Sequence, residues 1–264
     1  MAVRILTSLY MLPFLYIIHL GGIPMYIASL LLMLQGLKEY REALEGKIHV
    51  VSIKTLCFMA GLMFVSNLCY SKLGMESYGI FLVAAILILL VDILNCMKSK
   101  ISLKNRIPFW MGVFYIIIGF QTIVWIRNIM PNGELFTWLI FIITIVSDSM
   151  AYFTGKFFGS RKLIPSVSPN KTIEGSLGAI FFAVIACVLY SFILDVEIWQ
   201  MIMIGFFGSI LSQVGDLIAS KLKRYAQIKD FSNLIPQHGG VLDRLDSALL
   251  VSQFVFVVII LLIK

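Results

Sequence analysis

Long apolar runs constrain the fold of this chain more than any other feature of its sequence. Nine such runs, poor in charged residues, cover about 5–20, 22–36, 50–71, 78–97, 107–126, 135–156, 173–194, 198–219 and 244–263. A continuous apolar run of about 20 residues is long enough for an α-helix to cross the hydrocarbon core of a bilayer. Soluble domains are roughly half apolar, whereas 60% of these residues are hydrophobic. The sequence therefore predicts an all-α, polytopic integral membrane protein with about nine transmembrane helices.

The basic residues predict how these helices are oriented. If the N-terminus is cytoplasmic, 18 of the 21 lysines and arginines lie on the cytoplasmic side, and only Lys72, Arg127 and Lys264 lie outside. Cytoplasmic loops of membrane proteins carry the excess of Lys and Arg. The sequence thus predicts a cytoplasmic N-terminus. The net charge of +7 is explained by these loops and by contact with anionic membrane lipids, so no nucleic acid partner is predicted.

The two halves of the chain differ in the chemistry that their side chains offer. Residues 1–134 are predicted to form N-terminal transmembrane helices with little recognisable chemistry. Within them, 35–47 is predicted to be a charged helical extension, and Asp92 a hydrated acid near a helix end. Residues 135–264 are predicted to form a catalytic transmembrane region, because the clustered ionisable residues lie there.

The stretch 220–246, SKLKRYAQIKDFSNLIPQHGGVLDRLD, gathers ionisable side chains in a chain of which only 13% is charged. Asp216 precedes it inside an apolar run. Asp243 and Asp246 are three residues apart, which places both carboxylates on one face of the last helix. Mg²⁺ prefers oxygen ligands and shares its coordination shell with substrate phosphates. We therefore predict that Asp216, Asp243 and Asp246 bind Mg²⁺, and a second cation remains open.

The basic residues of this stretch suit a polyphosphate. The four predicted to bind it are Lys223, Arg224, Lys229 and Arg244. The sequence His238-Gly239-Gly240 predicts a tight turn whose bare backbone can approach a phosphate. A positive cytoplasmic loop without a site would explain the lysines, but it explains poorly the acids interleaved with them.

A second block, 147–178, is predicted to supply the other half of the site. Asp148 lies deep in an apolar run, where an unpaired acid is costly and therefore indicates a function. Lys171 lies at the start of the next helix, which Thr172 can cap. Because helix N-termini attract anions, Lys171 is predicted to bind a phosphate.

Both blocks resemble the phosphatidate cytidylyltransferase (CDP-diacylglycerol synthase) family. The highly specific pattern is S-x-L-K-R-x4-K-D-x-S-x2-I-P-x-H-G-G-V-x-D-R-L-D over 220–246. Further matches are Gly215-Asp216-Leu217, Asp148, Ala151-Tyr152, Gly155, Gly159, Ser168-Pro169, Lys171-Thr172 and Glu174-Gly175. Gln227 and Gln237 stand where glycine is more usual, which can alter the shape of the loop.

This resemblance implies an enzyme that converts CTP and phosphatidic acid into CDP-diacylglycerol and pyrophosphate for phospholipid biosynthesis. The catalytic residues that it implies are Asp216, Asp243, Asp246, Lys223 and Arg224. The substrate-binding residues that it implies are Lys171, Lys229, His238, Gly239, Gly240, Arg244, Asp148 and Glu174. The expected location is the inner membrane of a bacterium, with the site facing the cytoplasm; a homodimer remains open.

Two other functions remain open from the sequence. One is another CTP-dependent enzyme of membrane lipids, such as a lipid kinase or a cytidylyltransferase for a different lipid. The ending HGG-x-D-R-x-D favours phosphatidic acid over these. The other is an ion-coupled transporter with Asp148 and Asp216 on its path. Transporters typically show internal repeats, and the sequence has no such symmetry.

Overall fold

A computed structural model describes residues 12–48, 50–98, 103–234 and 239–263 of the chain. In chain order, its helices are α1 (Leu12–Leu20), α2 (Gly22–Leu44), α3 (Ile53–Leu73), α4 (Ser77–Lys98), α5 (Leu103–Ile129), α6 (Gly133–Phe158), α7 (Ile173–Leu194), α8 (Ile198–Ala226) and α9 (Leu242–Leu262). A short 3-10 helix, Gly74–Glu76, connects α3 to α4.

Seven of these helices, α3 to α9, are long and apolar enough to cross a membrane, counted over the described residues. This confirms the prediction of an all-α, polytopic membrane protein. The described part of α1 has only nine residues, and the rest of the first predicted span lies outside the described part. The predicted helical extension 35–47 is helical only up to Leu44, where α2 ends, and its charged residues lower the hydropathy of that helix. The count of nine spans stays a prediction.

Side-chain caps explain where two of the helices begin. Ser52 precedes α3 and accepts a hydrogen bond of 3.2 Å from the backbone N–H of Thr55. Thr172 precedes α7 and accepts one of 3.1 Å from the N–H of Gly175, as predicted. These bonds satisfy N–H groups that have no partner within the first helical turn.

Helix α8 continues past the predicted end at residue 219 and stops at Ala226. It stops there because Gln227 adopts the left-handed conformation, with φ of 61°. Glycine is the usual residue at this position after a helix, since it has no Cβ to clash. Gln227 therefore adopts the left-handed backbone conformation that usually favours glycine at this position. Gln237 lies outside the described residues.

A small antiparallel ribbon, which the sequence analysis did not anticipate, separates α6 from α7. It consists of β1 (Lys162–Ile164) and β2 (Ser168–Thr172). Lys162 pairs with Thr172, and Ile164 pairs with Ser168. The ribbon matters for function because β2 carries Lys171 directly before the cap of α7.

The chain divides into two compact units. One comprises Met1–Gln121 and Phe231–Leu242, and the other comprises Thr122–Asp230 and Asp243–Lys264. The division predicted at residue 134 rests on where the ionisable residues lie, and it stays a prediction.

The first unit contains a buried ion pair between α4 and α5. Asp92 is only 9% exposed, so the prediction of a hydrated acid is wrong. Arg106 forms an ion pair with its carboxylate, with a bond of 2.6 Å from Nε, and Trp110 Nε1 donates at 2.8 Å. The acid is buried because α5 brings both donors to it.

The second unit packs α6 closely against α7 and α7 against α8. Gly175 makes the first approach possible, since a Cβ there would lie 2.6 Å from the carbonyl oxygen of Ala151. Small residues allow this close packing in membrane proteins, where tight contact between helices drives their association.

Candidate active site

The candidate site lies where α8 and α9 touch. Gly215 leaves no side chain between the two helices: a Cβ at this position would lie 2.8 Å from the carbonyl oxygen of Asp246 and 3.1 Å from Cα of Ser247. Asp216 directly follows this glycine. The close approach brings Asp216 near Asp246, and the charge of Asp216 acts on that carboxylate.

Asp148 of α6 joins this pair from a third helix. Asp216 lies close enough to Asp148 and Asp246 for its charge to act on both, and the charge of Asp148 also acts on Asp246. Asp148 lies on an exposed face of α6, and its side chain is accessible. The preceding residue, Ser147, is on the buried face of the same helix. Three helices thus contribute one carboxylate each to the same group.

Two lysines are held beside carboxylates of the site. Lys171 forms an ion pair with Asp216, to which Ser220 Oγ also donates a hydrogen bond of 3.3 Å. Lys223 donates to Asp243 at 2.7 Å, and the side chain of Asp243 is only 4% exposed. Each lysine is therefore fixed close to an acid, and the site offers alternating charge to a bound phosphate.

Basic side chains also lie near the other two carboxylates of the site, Asp148 and Asp246. The charge of Arg244 acts on Asp148, and the charge of Lys223 acts on Asp246. Arg244 is exposed, so its guanidinium is accessible to a ligand. An accessible arginine suits phosphate, because its planar fork of N–H donors binds two oxygens at once.

Glu174, at the start of α7, anchors the loop that precedes the ribbon. Its carboxylate accepts hydrogen bonds from Ser160 Oγ at 2.7 Å, from Ser160 N at 3.1 Å and from Arg161 N at 3.2 Å. The carboxylate therefore supports the segment that carries Lys171. Direct binding of substrate by Glu174 stays a prediction.

Five predicted residues remain: Arg224, Lys229, His238, Gly239 and Gly240. Arg224, in the last turn of α8, and Lys229, in the loop after it, are exposed. His238 is among the residues that the structure does not describe. Gly239 and Gly240 belong to the other compact unit, and the φ of 84° at Gly239 fits the predicted turn.

A buried polar network beside the carboxylates was not predicted. Ser147 Oγ donates to Ser209 Oγ at 2.7 Å and connects α6 to α8. Gln213 Nε2 donates to the carbonyl oxygen of Ser176 at 3.3 Å, and the Ser176 hydroxyl donates back to the amide oxygen. The sequence feature that could have predicted this network is a pair of polar residues, Ser209 and Gln213, which lie four residues apart within an apolar helix.

No group of three or more His, Cys, Asp or Glu side chains is arranged to hold a metal ion by itself within the described residues. Mg²⁺ rarely has such a cage; it is usually bound by one or two carboxylates together with phosphates and water. The oxygen chemistry of Asp216, Asp243 and Asp246 fits a cation that arrives with a nucleotide. Their role as metal ligands stays a prediction.

Similarity to known proteins extends along almost the whole chain. Residues 2–262 match the model of the cytidylyltransferase family. A phosphatidate cytidylyltransferase of Bacillus subtilis (strain 168) is 33% identical over 261 residues, which cover 96% of this chain and 95% of the relative. One of Staphylococcus aureus (strain COL) is 30% identical over 263 residues, which cover 98% of this chain and 99% of the relative. The similarity therefore includes the first 134 residues, where the sequence offered little chemistry.

Proposed function

We propose that this chain, which belongs to the cytidylyltransferase family, transfers the cytidylyl group of CTP to phosphatidic acid. The products are CDP-diacylglycerol and pyrophosphate, and the reaction serves phospholipid biosynthesis. One observation carries the proposal: carboxylates of two adjacent helices, α8 and α9, form ion pairs with Lys171 and Lys223 in the stretches whose sequence resembles the family.

In this reaction an oxygen of the lipid phosphate attacks the α-phosphorus of CTP. The bond from this phosphorus to the oxygen that bridges to the β-phosphate breaks, and pyrophosphate leaves. The attacking oxygen is already anionic, so the chain needs no strong general base. Its task is to reduce the repulsion between two anionic substrates and to align them.

Basic side chains of the site perform that task. Lys171 and Lys223 are held beside acids, and Arg244 is accessible next to them. Lysine is flexible enough to move its ammonium group from a carboxylate to a nearby phosphate oxygen. Arg224 and Lys229, both exposed, add positive charge for the polyphosphate.

Asp216, Asp243 and Asp246 would hold Mg²⁺, and a second cation remains part of this proposal. The cation would supply positive charge on the triphosphate when bound. Two of these acids, Asp216 and Asp243, are balanced by lysines in the structure. These ion pairs hold the two carboxylates in place before a cation and nucleotide arrive.

The proposed location is the inner membrane of a bacterium, with a cytoplasmic N-terminus, nine spans and the site at the cytoplasmic face. The excess of Lys and Arg in the predicted cytoplasmic loops supports this orientation. Membrane lipids surround the helices and supply one substrate. A homodimer stays a prediction.

CTP labelled at different phosphates tests the reaction. The purified chain in lipid nanodiscs receives phosphatidic acid and either [α-³²P]CTP or [γ-³²P]CTP, with Mg²⁺ or with EDTA. Cytidylyl transfer puts the α label into the lipid and the γ label into pyrophosphate. A lipid kinase would put the γ label into the lipid. No label in the lipid from either nucleotide, with phosphatidic acid and Mg²⁺ present, would refute the proposal.

A polyprenol and diacylglycerol in place of phosphatidic acid separate the proposed substrate from other lipids. We expect the α label in lipid with phosphatidic acid alone. A higher rate with another acceptor would instead assign the chain to a different CTP-dependent lipid enzyme.

A further inference from the structure

Glu39, in the half of the chain with little recognisable chemistry, has a fully buried side chain. Its carboxylate accepts hydrogen bonds from a segment about 200 residues away. Ser232 Oγ donates to Oε1 at 2.8 Å, and the backbone N–H of Val241 donates to the same oxygen at 3.0 Å. The N–H of Leu242 donates to Oε2 at 2.9 Å. All of these residues belong to one compact unit.

These bonds place the carboxylate at the start of α9. Helix α9 begins at Leu242, and the first N–H groups of a helix have no partner within it. Glu39 satisfies two N–H groups at this end from another helix, and its negative charge lies at the positive end of the α9 dipole. Hydrogen bonds to a charged group are stronger than neutral ones, so the contact fixes where α9 begins.

Gly240 shows how closely the loop is fitted to this carboxylate. A Cβ at Gly240 would lie 2.6 Å from both Cδ and Oε1 of Glu39. Such a distance is shorter than side-chain atoms tolerate, so the carboxylate packs directly on the bare backbone. The second glycine of the HGG motif is therefore required by Glu39, whatever it also does for a phosphate.

We propose that Glu39 is a positioning residue for the transferase reaction. Its proposed role is to act on the reaction through the loop that it binds. It fixes Gly240 and the first turn of α9, and Asp243 follows Leu242 directly in the chain. The inference rests on the proposed function, since it concerns the same reaction, but it assigns a role to a residue of the N-terminal half.

Glu39→Gln tests this role with almost no change in volume. Whichever way the new amide is turned, its NH₂ group faces a donor: Leu242 N–H on one side, or Ser232 and Val241 on the other. Glu42→Gln is the matched control, because Glu42 lies on the same helix with a side chain that is 49% exposed. We expect turnover to fall about tenfold in Glu39→Gln and to stay unchanged in Glu42→Gln.

Two readouts separate positioning from a general loss of folding. We expect the KM for each substrate to stay within about twofold, so that the loss appears in kcat. Hydrogen exchange of the Val241 and Leu242 amides should be faster in Glu39→Gln. Because unpaired buried donors also lower the thermal midpoint, kcat is expressed per folded protein at a temperature where both variants are fully folded. Wild-type kcat in Glu39→Gln, unchanged exchange of these amides, or a loss of turnover explained by a lower content of folded protein would each overturn the inference.

A double variant isolates the contact with Gly240. Gly240→Ala alone should reduce turnover about hundredfold, because its methyl group displaces the carboxylate. In a Glu39→Ala background the methyl group has room, so Gly240→Ala should cause little further loss. Fully additive losses would show that the two residues act independently and would overturn the inference. Failure of the proposed function would instead appear in the wild-type chain, as an absence of CDP-diacylglycerol.

Discussion

Substitution of Gly215 by alanine tests whether the contact between α8 and α9 sets the geometry of the site. The new Cβ would lie 2.8 Å from the carbonyl oxygen of Asp246, whereas ordinary contacts begin at 3.4 Å. The helices must therefore move apart by about 0.6 Å at the point where Asp216 and Asp246 meet. A misplacement of about 1 Å can cost about 100-fold in rate, so we expect a fall of about tenfold in turnover.

Gly61→Ala is the matched control for this substitution. Gly61 also lies inside an apolar helix, α3, but a Cβ there would meet no atom within 4 Å. We expect Gly61→Ala to retain full activity. Both variants are assayed for transfer of the α label of CTP to phosphatidic acid, and their thermal unfolding is compared in the same nanodiscs. Overpacking should destabilise Gly215→Ala by about 1–3 kcal/mol.

One result would refute this reasoning. If Gly215→Ala turns over as fast as Gly61→Ala, the helices can separate at this point without consequence for the reaction. The close approach of the two backbones would then be a packing feature only. A fall in turnover that exceeds the loss of folded protein would support a catalytic requirement for this spacing.

Three further substitutions have separate expected outcomes. Asp246→Asn should reduce turnover to about 1% or less while insertion and folding persist, since it removes a charge of the carboxylate group; near-normal turnover contradicts the assigned role. Glu174→Gln should loosen the ribbon and lower turnover several-fold, with faster tryptic cleavage after Arg161; an unchanged cleavage rate contradicts the anchoring. Asp92→Asn leaves Arg106 buried without a countercharge and should destabilise the chain by about 3–5 kcal/mol; an unchanged thermal midpoint in nanodiscs would argue against this.

Features encoded over short stretches of sequence were predictable. Apolar runs predicted the membrane helices because length and hydropathy alone decide whether a helix can span a bilayer. Thr172 was predictable as a cap because its partner, the N–H of Gly175, lies three residues away. The sequence could predict that Asp216 and Asp246 lie on neighbouring helices, since one charged loop connects the two helices that carry them. The supporting contact at Gly215 needed the structure, because it involves the backbone of another helix.

Contacts between distant segments were not predictable from the same patterns. Asp92 and Arg106 are each unremarkable near a helix end, and only the packing of α5 against α4 shows that they neutralise each other. Gln227 departs from the usual glycine, and the sequence could not show that it adopts the left-handed conformation itself. Both features depend on where the residues lie in the folded chain, and residue type alone says little about that.

Glu39 escapes motif analysis altogether, and for Glu174 the motif identifies the residue but not the backbone groups that it binds. Both carboxylates act on backbone N–H groups, which every residue except proline provides, so the partner leaves no trace in the sequence. Residues 135–264 alone would carry every motif residue, yet Val241 and Leu242 would lack the carboxylate that holds their amides. The match of the family to both halves of the chain is consistent with that dependence. The N-terminal helices therefore do more than hold the chain in the membrane: through Glu39, they bind the loop that leads into the last helix of the site.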